Sequence, residues 1–219
     1  MPSPFDQSTY QVRLDWGTAG LARLAPADVV VVVDVLRFSS TVIDAAAAGT
    51  GVVLAEAEGW SRHGAAVAAA ASAEATVLVG GIRNASAVAR TVQTIQERRQ
   101  ARTSVAVVAA GEADAAGTLR FAVEDQLGAG AIILALSDRG IDHTSPDAAV
   151  AAECFRALRG ALRHMIGASG SGRELAEGVA STALIEASGL VPTATTDAAV
   201  LDAVDVVPVL RDGSFTRFE

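Results

Sequence analysis

Five consecutive valines, Val29–Val33, constrain the fold of this chain more than any other feature. A continuous β-branched run has no polar face, so it is typical of a central strand covered by protein on both sides. Two further short apolar runs, Thr76–Val79 and Val105–Ala109, have the same character and are separated by stretches with helical patterns. This alternation predicts an α/β protein with a mostly parallel sheet and helices on both faces.

The other segments fit the same alternation. Ser39–Thr41 precede an alanine-rich stretch that stops at Gly49, which predicts a helix with hydroxyl groups at its N-terminus. No linker, low-complexity tract or repeat divides the chain, so one domain over residues 1–219 is predicted. The other predicted helices run from Trp60 to Ala71, Asn84 to Arg98, Leu119 to Leu136 and Ser145 to Met165, and a last one begins at Arg173 after the glycine-rich break Gly167–Gly172. The other predicted strands are Gly51–Leu54, Val204–Leu210 and Phe215–Phe218.

Charge and composition narrow the classes of partner. The formal net charge is -8, and no run of Lys or Arg forms a basic patch, which disfavours nucleic acid and anionic membranes. A small anionic substrate is compatible with this charge, because one arginine-lined pocket or a metal ion can reverse the field locally. A single cysteine, no signal-peptide pattern and apolar runs too short for a bilayer predict a cytoplasmic protein. The sequence does not distinguish a monomer from a homo-oligomer.

The first candidate site follows the valine run directly. Ligands of open α/β sheets bind at the carboxyl ends of strands, and Asp34 stands at such an end. Asp34 can hold a hard cation, and Arg37 can bind a phosphate or sulfonate in a bidentate manner. The hydroxyls of Ser39, Ser40 and Thr41 lie near a helix N-terminus, where backbone N–H groups also favour an anion. The alternative is that all of these side chains merely cap the turn and the helix.

Two further segments combine groups that suit anion or metal chemistry. Glu124 and Asp125 are adjacent acids on a helix otherwise poor in charge, where one could serve as a metal ligand or a general base. Ser171, Gly172 and Arg173 follow a glycine-rich break, where small residues let backbone N–H groups approach an anion. The alternatives are an ordinary solvated helix face for the acids and a simple chain turn for the glycines.

A turn and the histidines complete the candidates. The turn from Gly80 to Asn84 could aim Arg83 and Asn84 at the same site, or it could equally be a plain connection between strand and helix. His63, His143 and His164 lie far apart in sequence and lack zinc-ligand spacing. No triad of nucleophile, base and acid can be assembled from the sequence.

Together these segments resemble the 2-phosphosulfolactate phosphatase family, with the matching stretches in the family's order. The stretches are Val29–Thr41 (VVVVVDVLRFSST), Asn84–Arg90 (NASAVAR), Val107–Gly111 (VVAAG), Leu119–Ile133 (LRFAVEDQLGAGAII), Ser171–Leu175 (SGREL) and Val207–Gly213 (VPVLRDG). The resemblance implies a magnesium-dependent phosphatase that releases inorganic phosphate from an acid similar to 2-phospho-3-sulfolactate. The positions that it nominates are Asp34, Arg37, Glu124, Asp125, Ser171, Arg173 and Glu174.

Roles for the charged groups among these positions are inferred from their chemistry. Asp34 with Glu124 or Asp125 would hold Mg²⁺, and Arg37 and Arg173 would neutralise the phosphate and a second anionic group. The ion would polarise the phosphoryl oxygen and orient either water or a carboxylate for in-line attack. The family pattern has a longer stretch between its second strand and the NASAVAR-like segment, whereas this chain runs almost directly from Trp60 to Asn84.

Three alternative interpretations compete with this resemblance. A haloacid-dehalogenase-type phosphatase needs a second aspartate two residues after the first, and Leu36 occupies that position. An isochorismatase-like hydrolase needs a cysteine near a strand end, whereas Cys154 lies within a predicted helix. The third is a family member that has lost its chemistry and binds a small anion or a partner protein, because a fold does not fix a function. Convergence of carboxylates and arginines around Asp34 would favour the enzyme over this binding protein.

Overall fold

A computed structural model describes residues 3–113 and 116–219. Seven strands form one sheet in the order β1-β5-β2-β4-β8-β9-β3, and β6 and β7 form a separate two-stranded ribbon. The strands are β1 Val12–Trp16, β2 Val29–Val33, β3 Val52–Val53, β4 Thr76–Gly80, β5 Val105–Ala109, β6 Glu112–Ala113, β7 Leu119–Arg120, β8 Pro208–Arg211 and β9 Ser214–Arg217.

Helices cover both faces of this sheet. They are α1 Gly17–Arg23, α2 Ser40–Ala47, α3 Leu54–Ala57, α4 Gly64–Ala70, α5 Ala85–Arg99, α6 Val123–Ser137, α7 Pro146–Leu158, α8 Leu162–Ala168, α9 Gly170–Glu177, α10 Ala180–Ala187 and α11 Thr195–Ala198. Short 3-10 turns occupy Ile82–Asn84 and Arg159–Ala161, and a kinked turn, in which Leu36 has an extended backbone, spans Val35–Ser39. No helix in the described part of the chain is long and apolar enough to cross a membrane.

The valine run forms the strand at the centre of the parallel part of the sheet. Strands β1, β5, β2 and β4 are parallel, and Val31 of β2 pairs with Leu78 on one side and Val107 on the other. Alternate valines point to opposite faces, because side chains alternate along a strand. Val29, Val31 and Val33 enter one hydrophobic core, and Val30 and Val32 enter the other. The predicted α/β class, with helices on both faces, is therefore confirmed.

Several predicted boundaries are wrong, each for a local reason. The helix predicted from Trp60 begins at Gly64. The helix predicted from Leu119 begins at Val123, because Leu119 and Arg120 pair with the strand Glu112–Ala113 instead. The helix from Pro146 is interrupted by the 3-10 turn at Arg159–Ala161. The helix predicted from Arg173 begins at Gly170, because the Ser169 side chain accepts a hydrogen bond from the Gly172 N–H and caps it.

The two ends of the chain complete the sheet in different ways. Strands were predicted at Val204–Leu210 and Phe215–Phe218, and the structure forms β8 at Pro208–Arg211, which begins later than predicted, and β9 at Ser214–Arg217. Their hairpin continues the sheet in antiparallel fashion beyond β4. Strand β1 was not predicted from the sequence. Its sequence VRLDW alternates apolar and polar residues, and it lies at the edge of the sheet beside β5, with one further bridge between Val12 and Thr144.

Candidate functional site

Asp125 joins three parts of the fold at the carboxyl edge of the sheet. It lies in the first turn of α6. One carboxylate oxygen accepts the N–H of Val35, just beyond β2, at 2.7 Å, and the other accepts the N–H of Gly111, just beyond β5, at 2.9 Å. Both backbone donors would otherwise be buried without a partner. The Asp125 side chain therefore holds the ends of two neighbouring strands against the start of α6.

Asp34 lies in the loop that leaves β2, where serine hydroxyls hold the backbone in place. The Asp34 N–H donates to Ser39 Oγ at 2.9 Å, and Ser40 Oγ donates to the Val35 carbonyl at 2.7 Å. The Asp34 carboxylate accepts the N–H of Gly64, at the start of α4, at 3.0 Å. Ser39 and Ser40, predicted as substrate-binding residues, thus use their hydroxyls to shape the loop that presents Asp34.

Gly64 packs against Asp34 too closely to carry a side chain. A Cβ atom at this position would lie 2.7 Å from Asp34 Oδ2 and 2.6 Å from the ring of Phe38. Contacts of this length are strongly repulsive, so only glycine brings α4 this near to the Asp34 loop. The segment that precedes α4 therefore lies directly over the carboxyl end of β2.

A serine joins two further carboxylates beside Asp34. Ser171 Oγ in α9 is hydrogen-bonded to Glu124 Oε1 in α6 and lies 3.0 Å from Glu112 Oε1 in β6. Glu124 is buried, and Glu112 is partly buried. Three elements distant in sequence therefore converge through their side chains, and the predicted residues Glu124 and Ser171 lie in one cluster with Asp34 and Asp125.

The electrostatics of this cluster reflect its burial and its excess of like charge. Burial, reinforced by the charges of Glu112 and Glu124, raises the pKa of Asp34 to about 7. Burial and the charges of Asp34 and Glu124 raise the pKa of Asp125 well above its ordinary value. Burial also raises the pKa of Glu112, against the opposing effect of its hydrogen bond with Ser171. Such a cluster is stabilised either by bound protons or by a cation.

Arg37 is a buried cation with hydrogen-bonding capacity to spare. Its side chain is only 8% exposed, and its Nη2 has no hydrogen-bond acceptor among the described residues. Burial lowers the pKa of Arg37, while the negative charges of Asp34 and Glu186 oppose that effect. Thr41, four residues further along the chain, also has a buried hydroxyl with no partner in the described part of the chain. Unused buried donors carry a large desolvation cost, which a bound anion would remove.

The other predicted substrate-binding residues occupy different environments. Asn84 is fully buried, and its amide accepts the Gly81 N–H and donates to the carbonyls of Val79 and Val206, so it serves the turn after β4. Gly172 is packed so tightly that a Cβ atom would lie 2.2 Å from the Ile166 carbonyl oxygen. Arg173 is exposed. The charge of Glu174, also exposed, contributes to the raised pKa of Glu112, which places Glu174 at the rim of the cluster.

Two surface hollows lie away from this cluster. One of about 500 Å³ is lined by Ser86, Gln93, Ala135, Asp138 and Arg139, and one of about 480 Å³ lies between Arg159–His164 and Ala199–Leu201. In the first, Arg139 donates to the Gln93 side chain on the protein surface. Neither hollow contains any of the carboxylates whose pKa values are raised. The chemistry therefore points to the Asp34 cluster as the candidate site.

The donor set suits a magnesium ion by its chemistry. Within residues 3–113 and 116–219, no group of three or more His, Cys, Asp or Glu side chains is arranged to hold a metal ion. Mg²⁺ does not require such a group, because it is commonly held by one or two carboxylates together with water and substrate phosphate. Asp34 and Glu124 are buried oxygen donors in a cluster with excess negative charge. These two residues therefore fit the ion.

Glu112 and His63 belong to the surroundings of this cluster but were not predicted. Glu112 follows the strand end Ala109 by three residues, so its position after a buried strand could have indicated it. His63 immediately precedes Gly64, which contacts Asp34, and the charge of protonated His63 lowers the pKa of Glu112. No sequence pattern links His63 to the strand ends.

The fold and the site define an α/β protein with a buried acidic cluster and a buried arginine at the carboxyl edge of its sheet. The sequence pattern of the 2-phosphosulpholactate phosphatase family matches residues 61–213, so the chain belongs to that family. The family implies a phosphatase, which is a hydrolase. The match contains Glu112, Glu124 and Ser171, whereas Asp34 and Arg37 precede it. No curated protein matches the sequence significantly.

The role of Asp125 can be tested through stability. Replacing Asp125 by Ala leaves the buried N–H groups of Val35 and Gly111 without acceptors, so we expect unfolding free energy to fall by about 2–4 kcal/mol. Urea unfolding of this variant, its control and the wild type at one fixed pH would measure the loss. Asp138→Ala, at an exposed position beside the end of α6, is the control and should cost little. Equal stability of the two variants would contradict the anchoring role.

Proposed function

We propose that this protein is a magnesium-dependent phosphatase that hydrolyses a small phosphorylated acid similar to 2-phospho-3-sulfolactate. The observation that carries the proposal is the buried guanidinium of Arg37, with Nη2 unpaired among the described residues, beside the buried carboxylate of Asp34. An anion for Arg37 and a cation for the carboxylates together match a phosphate bound with a divalent metal ion. Membership in a phosphatase family supports the same conclusion.

The proposed roles follow from what each side chain leaves unsatisfied. Asp34 and Glu124 would hold Mg²⁺, which supplies Lewis-acid polarisation of the phosphoryl group and neutralises its charge when bound. Arg37 would bind an anionic oxygen of the substrate through its free Nη2, with the Thr41 hydroxyl as a second donor. Ser171 would orient Glu124. Asp125, with both oxygens on backbone N–H groups, would hold the strand ends in register beneath the site.

The reaction is the hydrolysis of a phosphate monoester. Water forms a bond to phosphorus while the bond between phosphorus and the substrate oxygen breaks, which releases inorganic phosphate and the alcohol. The water loses one proton and the leaving oxygen gains one. Glu112, whose pKa is raised above its ordinary value by burial, would exchange a proton in this step. We further propose that the protein acts in the cytoplasm on a small molecule, since its formal net charge of -8 disfavours nucleic acid and anionic membranes.

Phosphate release from a panel of small phospho-acids, including 2-phospho-3-sulfolactate, tests this proposal. We expect release in the presence of MgCl₂ and none with EDTA, and the acids with more than one anionic group should be the better substrates. Circular dichroism would establish that the protein is folded in both conditions. A folded protein that binds these acids in a calorimeter but releases no phosphate would contradict the enzyme and support the anion-binding alternative.

A further inference from the structure

The segment Trp60–Gly64 lies over the carboxylate cluster and has no role in the arrangement described so far. Its last residue donates a backbone N–H to Asp34 Oδ2 at 3.0 Å and packs directly against Phe38. Its first residue, Trp60, packs its ring against Phe38, with ring centroids 5.9 Å apart. The segment is thus fixed at both ends against the loop that carries Asp34 and Arg37.

Other contacts hold this segment in one conformation. Ser61 Oγ accepts the N–H of Ala65 at 3.1 Å, and the His63 carbonyl accepts the N–H of Val67 at 3.0 Å. These bonds anchor the segment to the first turns of α4. His63 therefore projects from a fixed backbone position immediately beside the Gly64 contact with Asp34.

Two side chains of the segment have hydrogen-bonding capacity that the protein does not use. The indole Nε1 of Trp60 is buried and has no acceptor in the described part of the chain. The ring of His63 is half-buried, and no hydrogen bond of its side chain occurs among the described residues. Its protonated form interacts favourably with Glu112, which faces the cluster through Ser171. His63 is thus a ring donor beside the cluster, at the start of α4.

We propose that His63 is a substrate-contacting residue of this site, whose ring N–H donates to an anionic oxygen of the bound substrate. This inference rests on the proposed function, because it assumes that an oxyanion occupies the space between Asp34, Arg37 and Glu112. His63 would contact the substrate from the side of α4, across from the carboxylates on α6 and β6. The segment Trp60–Gly64 then forms a wall of the site.

The three histidine rings of the chain allow a direct test by NMR. Long-range ¹H–¹⁵N correlation spectra of the folded wild-type protein would be recorded while inorganic phosphate is added with MgCl₂, and with NaCl at equal ionic strength. We expect phosphate to shift the His63 ring signals alone. His164 is exposed on α8, and His143 Nδ1 pairs with Arg102 at 2.6 Å, so both rings serve as internal controls. An unchanged His63 signal at saturating phosphate would overturn the inference.

Steady-state kinetics of His63 variants provide a second test of this contact. Loss of a hydrogen bond to a charged group should raise KM for the preferred phospho-acid by at least about tenfold in His63→Gln and His63→Ala, with a smaller change in kcat. His164→Gln should behave as wild type. Wild-type KM in both His63 variants of an active enzyme would refute the inference and leave the proposed function intact. An inactive wild-type protein would refute the proposed function, and the phosphate titration would then decide the role of His63 by itself.

Discussion

Replacing Asp34 by Asn is expected to reduce magnesium-dependent phosphate release by about a thousandfold while the protein stays folded. The change removes the negative charge that would hold the ion but retains the size of the side chain. The amide oxygen of Asn can still accept the N–H of Gly64, so the contact between α4 and the Asp34 loop persists. The rate of phosphate release at saturating substrate, with calorimetric titration of Mg²⁺, would measure both effects.

Asp28→Asn is the matched control for this substitution. Asp28 precedes the same strand at its amino end, where it accepts hydrogen bonds from Ser104 and Arg99, far from the carboxyl edge. We expect its phosphatase activity to remain within about twofold of wild type, because surface substitutions away from a site have small effects. Full activity in Asp34→Asn would remove Asp34 from the proposed metal site.

The second large effect concerns stability as a function of pH. In the absence of divalent ions, the protein is expected to become less stable as the pH rises from 5 to 8. The pKa of Asp34 is raised from 3.8 to about 7, and those of Asp125 and Glu112 are also raised. Within this window the folded state binds more protons than the unfolded state, so stability declines with increasing pH. The stabilisation that these protonated carboxyls provide is complete below their ordinary pKa. It is lost as the pH rises through their raised pKa in the folded protein.

The size of this decline can be bounded from general relations. One such carboxylate lowers stability by roughly 1.4 kcal/mol for each pH unit inside the window. A protein of this size loses about 2–4 °C in Tm per kcal/mol, so we expect Tm to fall by at least about 5 °C between pH 5 and pH 8 in EDTA. Thermal unfolding followed by circular dichroism would measure it. MgCl₂ should reduce the fall, since an ion that binds only the folded carboxylates stabilises that state.

Two variants separate the source of this pH dependence. Asp34→Asn should flatten the decline, because it removes one buried group that must ionise, and its Tm at pH 8 in EDTA should exceed that of wild type. Asp28→Asn should keep the wild-type slope, because the pKa of Asp28 is lowered by its hydrogen bonds with Ser104, against the effect of burial, and Asp28 titrates below this window. A Tm that rises from pH 5 to pH 8 in wild type would contradict the buried acidic cluster.

The central strand and the position of Asp34 could be predicted from local sequence alone. A run of five valines has no polar face, so it must be covered on both sides, and the first polar residue after it must lie at the strand end. The start of α7 is likewise determined locally, because the Ser145 hydroxyl caps the helix and Pro146 occupies its first position. These features depend on neighbours in the sequence, and the structure confirms them.

The roles of the polar side chains were decided by tertiary structure. Asp125 became an anchor because the ends of β2 and β5 are adjacent and each leaves a backbone N–H that needs an acceptor. Asn84, Ser39 and Ser40 satisfy backbone groups for the same reason. Arg37 Nη2 has no acceptor in the part of the chain that the structure describes, and this side chain is the one that the sequence indicated most directly as an anion ligand.

Glu112 and His63 show the limit of sequence reasoning most clearly. They lie 49 positions apart, from 63 to 112, and 12 positions separate Glu112 from Glu124, yet all three residues border one cluster. Local sequence determined the central strands β2 and β5 and where each ends, because a continuous apolar run must be buried on both faces. Only the packing of α4, α6 and α9 on the same sheet edge decided which carboxylates meet, since a raised pKa requires burial and neighbouring charges that no single segment provides.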